Sequence, residues 1–191
     1  MVYIVGGNHG EQYFTNNIWA FDLVKNDYAI LTTIPAGIHN AAGFKNIGCT
    51  GIVTDEGDKA IALAGGWALA ELGNWDTRQL DKSVRIYKVD LDQWSDYEPL
   101  PKNTAQNRLV FWNSRLFSFG GLPEGNIAGH NGGTGGTKVF LLAPVNYEQD
   151  WETLEDLPVK TNCPAVIPYS GGGNSNHNRL DLIGLYTTLL H

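Results

Sequence analysis

The sequence predicts an all-β protein built from repeated four-stranded antiparallel sheets. Three observations predict it. Glycine makes up 23 of 191 residues, alongside six Trp, eight Tyr, seven Phe and a single Met, a composition of tight turns between aromatic-rich strands. Helical periodicity is nearly absent; the one stretch of helical character, Trp67–Leu72, is too short to stand alone. An apolar run ends in a glycine pair three times, at Val2–Gly7, Ala60–Gly66 and Leu116–Gly121, with spacings of 59 and 55 residues.

Each element of the repeat follows in order, named a to d. The run before each glycine pair is strand b. A polar loop follows, then an alternating strand c at Asn17–Leu23, Ser83–Leu91 and Lys138–Leu142. Strand d opens on an aromatic and closes on proline, at Tyr28–Pro35, Trp94–Pro101 and Trp151–Pro158. Strand a precedes the second and third glycine pairs, at Thr50–Thr54 and Asn107–Trp112, joined to strand b by the turns Asp55–Asp58 and Asn113–Ser114. A final a–b pair is predicted at Cys163–Tyr169 and Arg179–Leu185. A sheet this small cannot bury both faces alone, so the copies must stack. Glycine at the end of strand b permits positive φ and close backbone approach to a neighbour. Aromatics on strands c and d, such as Trp19, Tyr87, Phe140, Trp94 and Trp151, supply the area buried between sheets. Proline after strand d ends pairing and turns the chain toward the next unit.

A glycine doublet, an aromatic on strand c and a Trp on strand d, three times in that order, resemble the kelch repeat of β-propellers. The resemblance covers nearly the whole chain, from Val2 to Leu190. Three features depart from it. Tyr28 holds the Trp position in the first unit, Ala143-Pro144 replaces an acidic residue in the third, and the last segment offers one glycine, Gly184. The resemblance implies one array over residues 1–191, with blade units at about 2–35, 50–101, 106–158 and a partial unit at 162–190. Propellers have four to eight blades, so the ring in this chain is expected to be incomplete. That makes the chain either a piece of a longer polypeptide or a subunit whose ring closes between copies, with a compact non-ring stack of sheets as the alternative.

Charge and composition narrow the partners. With 13 Lys+Arg against 20 Asp+Glu the net charge is −7, which argues against nucleic acid or an anionic membrane surface. No apolar run approaches the length of a membrane helix, and Met1–Gly7 lacks the basic and long apolar regions of a signal peptide. No Asn-x-Ser/Thr acceptor is present. Cys49 and Cys163 are too few for a disulfide scaffold and are expected as buried thiols; a Cys49–Cys163 bridge is the alternative and would favour an oxidising compartment. The compartment stays open.

In an a–b–c–d meander the b–c and d–a connections leave one face of the disc. The long loops fall mostly there, at Asn8–Asn16, Trp67–Lys82, Leu122–Thr137 and Ala36–Cys49, with Ser170–Asn178 the exception on the other face. Long loops on rigid scaffolds carry binding, which makes this the candidate surface. Its candidate partner-binding residues are Trp75, Asp76 and Arg78 with Trp67, and Tyr13 and His39 from neighbouring loops. Exposed aromatics beside planar polar groups suit a protein hot spot or a stacked sugar. For Trp67, next to Gly66, packing against the blade edge is the competing reading.

Catalytic signals are weak by comparison. The five histidines, His9, His39, His130, His177 and His191, form no HxH or HxxxH pair. The glycine-rich stretch Gly129–Gly136 lacks the phosphate-loop pattern and leads into a strand, so it reads as a flexible loop. No nucleophile elbow or nucleophile–base–orienter set stands out. The resemblance adds that some kelch-type propellers are copper-radical oxidases using Tyr, His and a thioether-forming Cys, and no matching set is found here. The expectation is therefore a non-enzymatic binding or assembly module without cofactor or metal. Its partner is a protein, or further copies or blades completing the ring. A carbohydrate-binding propeller or a fragment of a kelch-type enzyme, oxidase or sugar-modifying, is the alternative.

Overall fold

The computed structural model describes residues 1–7, 14–36, 41–123, 136–142, 150–161, 164–170 and 178–183. Cys163, Tyr13, His39 and the other four histidines, and most of the 129–136 stretch, lie outside these residues. The chain order begins with β1 (Val2–Val5), β2 (Asn17–Asp22) and β3 (Asp27–Thr33). Next come β4 (Gly43–Lys45), β5 (Gly48–Val53), β6 (Lys59–Ala64), β7 (Trp67–Leu69), β8 (Arg78–Leu80), β9 (Val84–Lys88) and β10 (Gln93–Tyr97). They are followed by β11 (Thr104–Ala105), β12 (Arg108–Trp112), β13 (Arg115–Phe119), β14 (Leu122–Pro123), β15 (Val139–Leu142), β16 (Glu152–Thr153), β17 (Ala165–Ser170) and β18 (Asn178–Ile183).

The main sheets have the predicted antiparallel order. The first is β1-β2-β3, the second β10-β9-β6-β5, the third β12-β13-β15-β16, and a two-stranded sheet β17-β18 follows. The hairpins are set by local chemistry. Asn113 and Ser114 both take positive φ, at 51° and 55°, the geometry whose twist matches a two-residue β-turn. In the 54–58 turn the Thr54 carbonyl accepts from the Gly57 N–H and the Thr54 hydroxyl from the Asp58 N–H.

Alternation then divides each strand between two neighbours. On β6, Ile61 and Leu63 point to the first sheet, packing with Ile18, Ile34, Phe44 and Tyr87. Ala60, Ala62 and Ala64 point the other way, against Leu109, Leu116, Phe140 and Trp151. On β13, Phe117 and Phe119 face onward to Leu157 and Val166 of β17. The second and third sheets are thus buried on both sides by their neighbours in sequence. The d-strand tryptophans fix the spacing. Trp94 Nε1 donates to Thr32 Oγ1 (3.2 Å) on the outer strand of the preceding sheet, and Trp151 Nε1 to the carbonyl of Glu98 (2.8 Å), the residue that follows β10.

The glycine pairs are the joints between sheets. The second glycine donates its N–H to the segment entering the next sheet: Gly7 to Phe44 O (3.1 Å), Gly66 to Thr104 O (2.8 Å), Gly121 to Thr161 O (3.1 Å). That segment donates back to the loop leaving the pair, from Phe44 to Thr15, Thr104 to Asp81 and Thr161 to Gly136. Thr15, Asp81 and Gly136 close the circuit by donating to the carbonyls of Gly7, Gly66 and Gly121. Three backbone segments therefore satisfy one another in a ring of hydrogen bonds, repeated three times. The first glycine of each pair makes the approach possible. Its φ is +57° at Gly6, +67° at Gly65 and +59° at Gly120, and a Cβ would lie 2.9, 2.5 and 2.7 Å from the carbonyl oxygens of Phe44, Thr104 and Thr161. One residue before each proline, Ile34, Leu100 and Leu157 donate N–H bonds to Asn16, Lys82 and Thr137, so the end of strand d is tied to the start of strand c.

Candidate functional site

The described parts of the b–c and d–a connections lie together and fold into a layer. Strand β4, from the first d–a connection, pairs with β7, which pairs with β8, both from the second b–c connection. Beside it β11 pairs with β14, and an isolated bridge joins Thr15 to Phe44. The layer has its own small core of Phe14, Trp67, Leu69, Leu80, Ala105 and Leu122. The helical reading of Trp67–Leu72 is corrected here, since Trp67–Leu69 is a strand. Its alternation explains why: Trp67 and Leu69 fill the layer's core while Ala68 packs below among Ile18, Phe44 and Ile61, a two-sided burial that a helical turn cannot supply.

The sequence-predicted residues separate in this frame. Trp67 is only 8% exposed and supports the layer from inside. Trp75 and Asp76 sit in a single 3-10 turn, Trp75–Thr77, at the tip between β7 and β8, where Asp76 is exposed. Arg78 opens β8 opposite Leu69 and is half-buried. Tyr13 and His39 lie outside the described residues.

The tip is held by its own hydrogen bonds. The Thr77 hydroxyl donates to the Asn74 carbonyl (2.8 Å) and accepts from the Glu71 N–H (3.1 Å). Asn74 Nδ2 donates to Glu71 Oε2 (2.9 Å), and Asn74 Oδ1 accepts from the Asp76 N–H (3.2 Å). Side-chain acceptors for turn N–H groups are what allow a polar loop to keep one shape in water. Leu72, half exposed, stands beside it. Lys45 Nζ lies 4.6 Å from the centre of the Phe14 ring on the neighbouring part of the layer.

Beneath the layer lies a buried ion pair that sequence reading missed. Asp81 Oδ1 accepts from the N–H groups of Lys82 (2.8 Å) and Ser83 (3.0 Å) and from the Ser83 hydroxyl (2.8 Å). Its other oxygen takes Arg85 Nη2 at 3.1 Å, with both side chains 1% exposed. The Arg85 guanidinium sits 4.9 Å from the Phe44 ring centre. The pair thus fastens strand c of the second sheet to the segment entering it. The visible signal was Asp81, Ser83 and Arg85 recurring at every second residue as the chain enters strand c.

Titratable groups here are tuned by burial more than by charge. Burial, and then the hydrogen bond to Asp92 Oδ1 (2.9 Å), push the Tyr87 phenol up to about 12. Burial also raises the Cys49 thiol, with the Arg108 charge pulling the other way, which favours its protonated form. Among the described residues no three His, Cys, Asp or Glu side chains gather as metal ligands, and no helix is long and apolar enough to cross a membrane.

Comparison with known proteins agrees with this architecture. No family profile matches the chain. It is 22% identical over 192 residues to Kelch-like protein 38 of Rattus norvegicus, covering 96% of this chain and 28% of that protein. The solved structure of YjhT superposes with a TM-score of 0.61 at 16% identity, over 85% of this chain and 51% of YjhT. The fold is that of kelch-type propeller blades. The sheets described above are blades in that sense, and among the described residues they do not close into a ring. The chain spans under a third of Kelch-like protein 38 and about half of YjhT.

Proposed function

We propose that this chain is a protein-recognition module that engages its partner through the layer of b–c and d–a connections. The observation carrying this reading is the 71–77 tip, a turn held by its own side chains and raised on a layer with its own core. A surface ordered before binding loses little conformational entropy on contact. Trp75 and Arg78 bring to it residue types enriched at interface hot spots, and Leu72 adds exposed apolar area. The likeness to Kelch-like protein 38 supports a protein partner at the coarse level.

The test is capture of interacting proteins on the immobilised chain, compared with the Trp75→Ala and Arg78→Ala variants. A partner retained by the parent and lost from both variants supports the tip as the contact. Binding unchanged by both removes the tip from the site. Glycan-array binding that free sugar competes away, and that Trp75→Ala abolishes, replaces the protein partner with a carbohydrate. Turnover or a stoichiometric bound metal in the purified protein moves the reading to an enzyme fragment.

A further inference from the structure

Arg85 stands where the fold itself asks for no charge. Counted from the glycine pairs, it lies opposite Leu63 as Trp19 lies opposite Ile4 and Phe140 opposite Ser118, so the neighbouring blades place an aromatic ring at this position of strand c. Asp81 is likewise more than its turn requires. The matching residue of the first blade is Thr15, since Thr15 and Asp81 donate N–H bonds to the second glycine of their pairs, Gly7 and Gly66. Thr15 Oγ1 accepts from the Asn17 N–H (3.2 Å) as Asp81 Oδ1 accepts from the Ser83 N–H (3.0 Å). One acceptor oxygen therefore makes this turn, and the second oxygen of Asp81, held by Arg85, is left for another purpose. The arrangement is also costly. Both side chains are 1% exposed, and Arg85 Nε meets no acceptor among the described residues, in an interior where an incompletely bonded ion pair is no more stable than apolar side chains of similar size.

What the pair reaches explains it. β4, β7 and β8 form the sheet of the layer, with β7 in the middle. Asp81 directly follows β8, and Phe44 is the central residue of β4. Arg85, on β9 beneath, meets both: Asp81 Oδ2 at 3.1 Å, and the Phe44 ring, whose centre lies 4.9 Å from the guanidinium carbon. A planar guanidinium bonds in its plane and stacks on its face at once, which an ammonium cannot do. One side chain thus holds both outer strands of the layer. It also ties two joints together, because the Phe44 backbone belongs to the hydrogen-bond circuit of Gly7 and the Asp81 backbone to that of Gly66. The 71–77 tip connects β7 to β8, so what fixes β8 fixes the tip.

We propose that Asp81 and Arg85 are positioning residues for the 71–77 tip, the guanidinium gripping both outer strands of the layer and setting where it sits on the blades. This rests on the reading of the tip as the contact surface. The pair then serves the order of a binding surface more than the stability of the fold. Removing it should loosen the layer and the tip while the blades stay intact.

The test is native-state amide hydrogen exchange, followed by NMR on the full chain, for the parent and for Asp81→Thr combined with Arg85→Met. Threonine supplies the turn acceptor, as Thr15 does, and methionine fills the volume without charge. The reporters are the N–H groups of Ala42, bonded to Leu69 O (2.8 Å), Asn74, bonded to Glu71 O (3.1 Å), and Thr77, bonded to Asn74 O (3.2 Å). The references are central amides of β6 and β9. Relative to the references, the reporters should exchange about tenfold faster or more in the double variant. A pair that only stabilised the fold would speed both sets together. Arg85→Lys keeps a cation beside Asp81 but loses the planar face over Phe44; it should fold even where the double variant does not, and show the same preference to a smaller degree. Equal acceleration of reporters and references, or none, in either variant overturns the proposal. The measurement needs no partner, and the capture test alters neither Asp81 nor Arg85, so either reading can fail without the other.

Discussion

Replacing Gly65 with alanine should cost about 3 to 5 kcal/mol of stability, and the structure divides that cost into parts. Gly65 holds φ at +67°, which strains an alanine by roughly 1 kcal/mol or a little more. The new Cβ would also stand 2.5 Å from the Thr104 carbonyl oxygen, so that backbone must retreat. Retreat weakens two buried hydrogen bonds, Gly66 N–H to Thr104 O (2.8 Å) and Thr104 N–H to Asp81 O (3.0 Å), each contributing about 0.5–1.5 kcal/mol and more when left unmatched. Two glycines isolate the parts. Gly57 has φ +89° with nothing within 4 Å of its Cβ position, so Gly57→Ala carries strain alone, about 1 kcal/mol. Gly51 has open space and no positive φ, so Gly51→Ala should be neutral or stabilising by up to about 1 kcal/mol. Urea unfolding followed by tryptophan fluorescence and far-UV circular dichroism reads all three. The ordering Gly51, Gly57, Gly65 is expected. A Gly65→Ala variant no less stable than Gly57→Ala would refute close approach as the reason for the doublet.

Two further predictions concern buried polar groups. Asp81→Ala leaves the Arg85 guanidinium without its carboxylate and should destabilise by about 3–5 kcal/mol, whereas Asp81→Leu combined with Arg85→Met should recover most of that loss in the same unfolding assay. Tyr87 has its pKa raised in the folded state to about 12 from an ordinary 10, so folding favours the protonated phenol. Its contribution is complete below pH 10 and is lost as pH rises through about 12; Tyr87→Phe should flatten that part of the alkaline stability profile, and an unchanged profile would count against the assignment.

Much of the blade architecture was legible because each signal is local. Alternation along Val84–Lys88, the two-residue Asn113-Ser114 turn and the prolines after Ile34, Leu100 and Leu157 each dictate a conformation from a few neighbouring residues. The layer was not legible. Strands β4 and β7 are three residues each and meet across more than twenty residues of chain, a length too short to show a period. In Trp67–Leu72 the alanines and leucines favour helix on intrinsic preference, and pairing with β4 and β8 overrides it. The candidate site was legible as a place more than as a list of residues. That b–c and d–a connections share a face was legible, whereas the burial of Trp67 beneath it and the Asp81–Arg85 pair were not, because burial depends on what the distant chain brings.

The joint between blades is tested most directly by amide hydrogen exchange at Gly66, Gly121, Thr104 and Thr161. These residues lie outside the main sheets, yet their N–H groups are engaged in the backbone circuits described above. Protection comparable to central amides of β6 and β13 is the predicted result. Exchange as fast as in the exposed turns would contradict the interlocking of glycine pair, returning loop and entering segment on which the stacking of these blades rests.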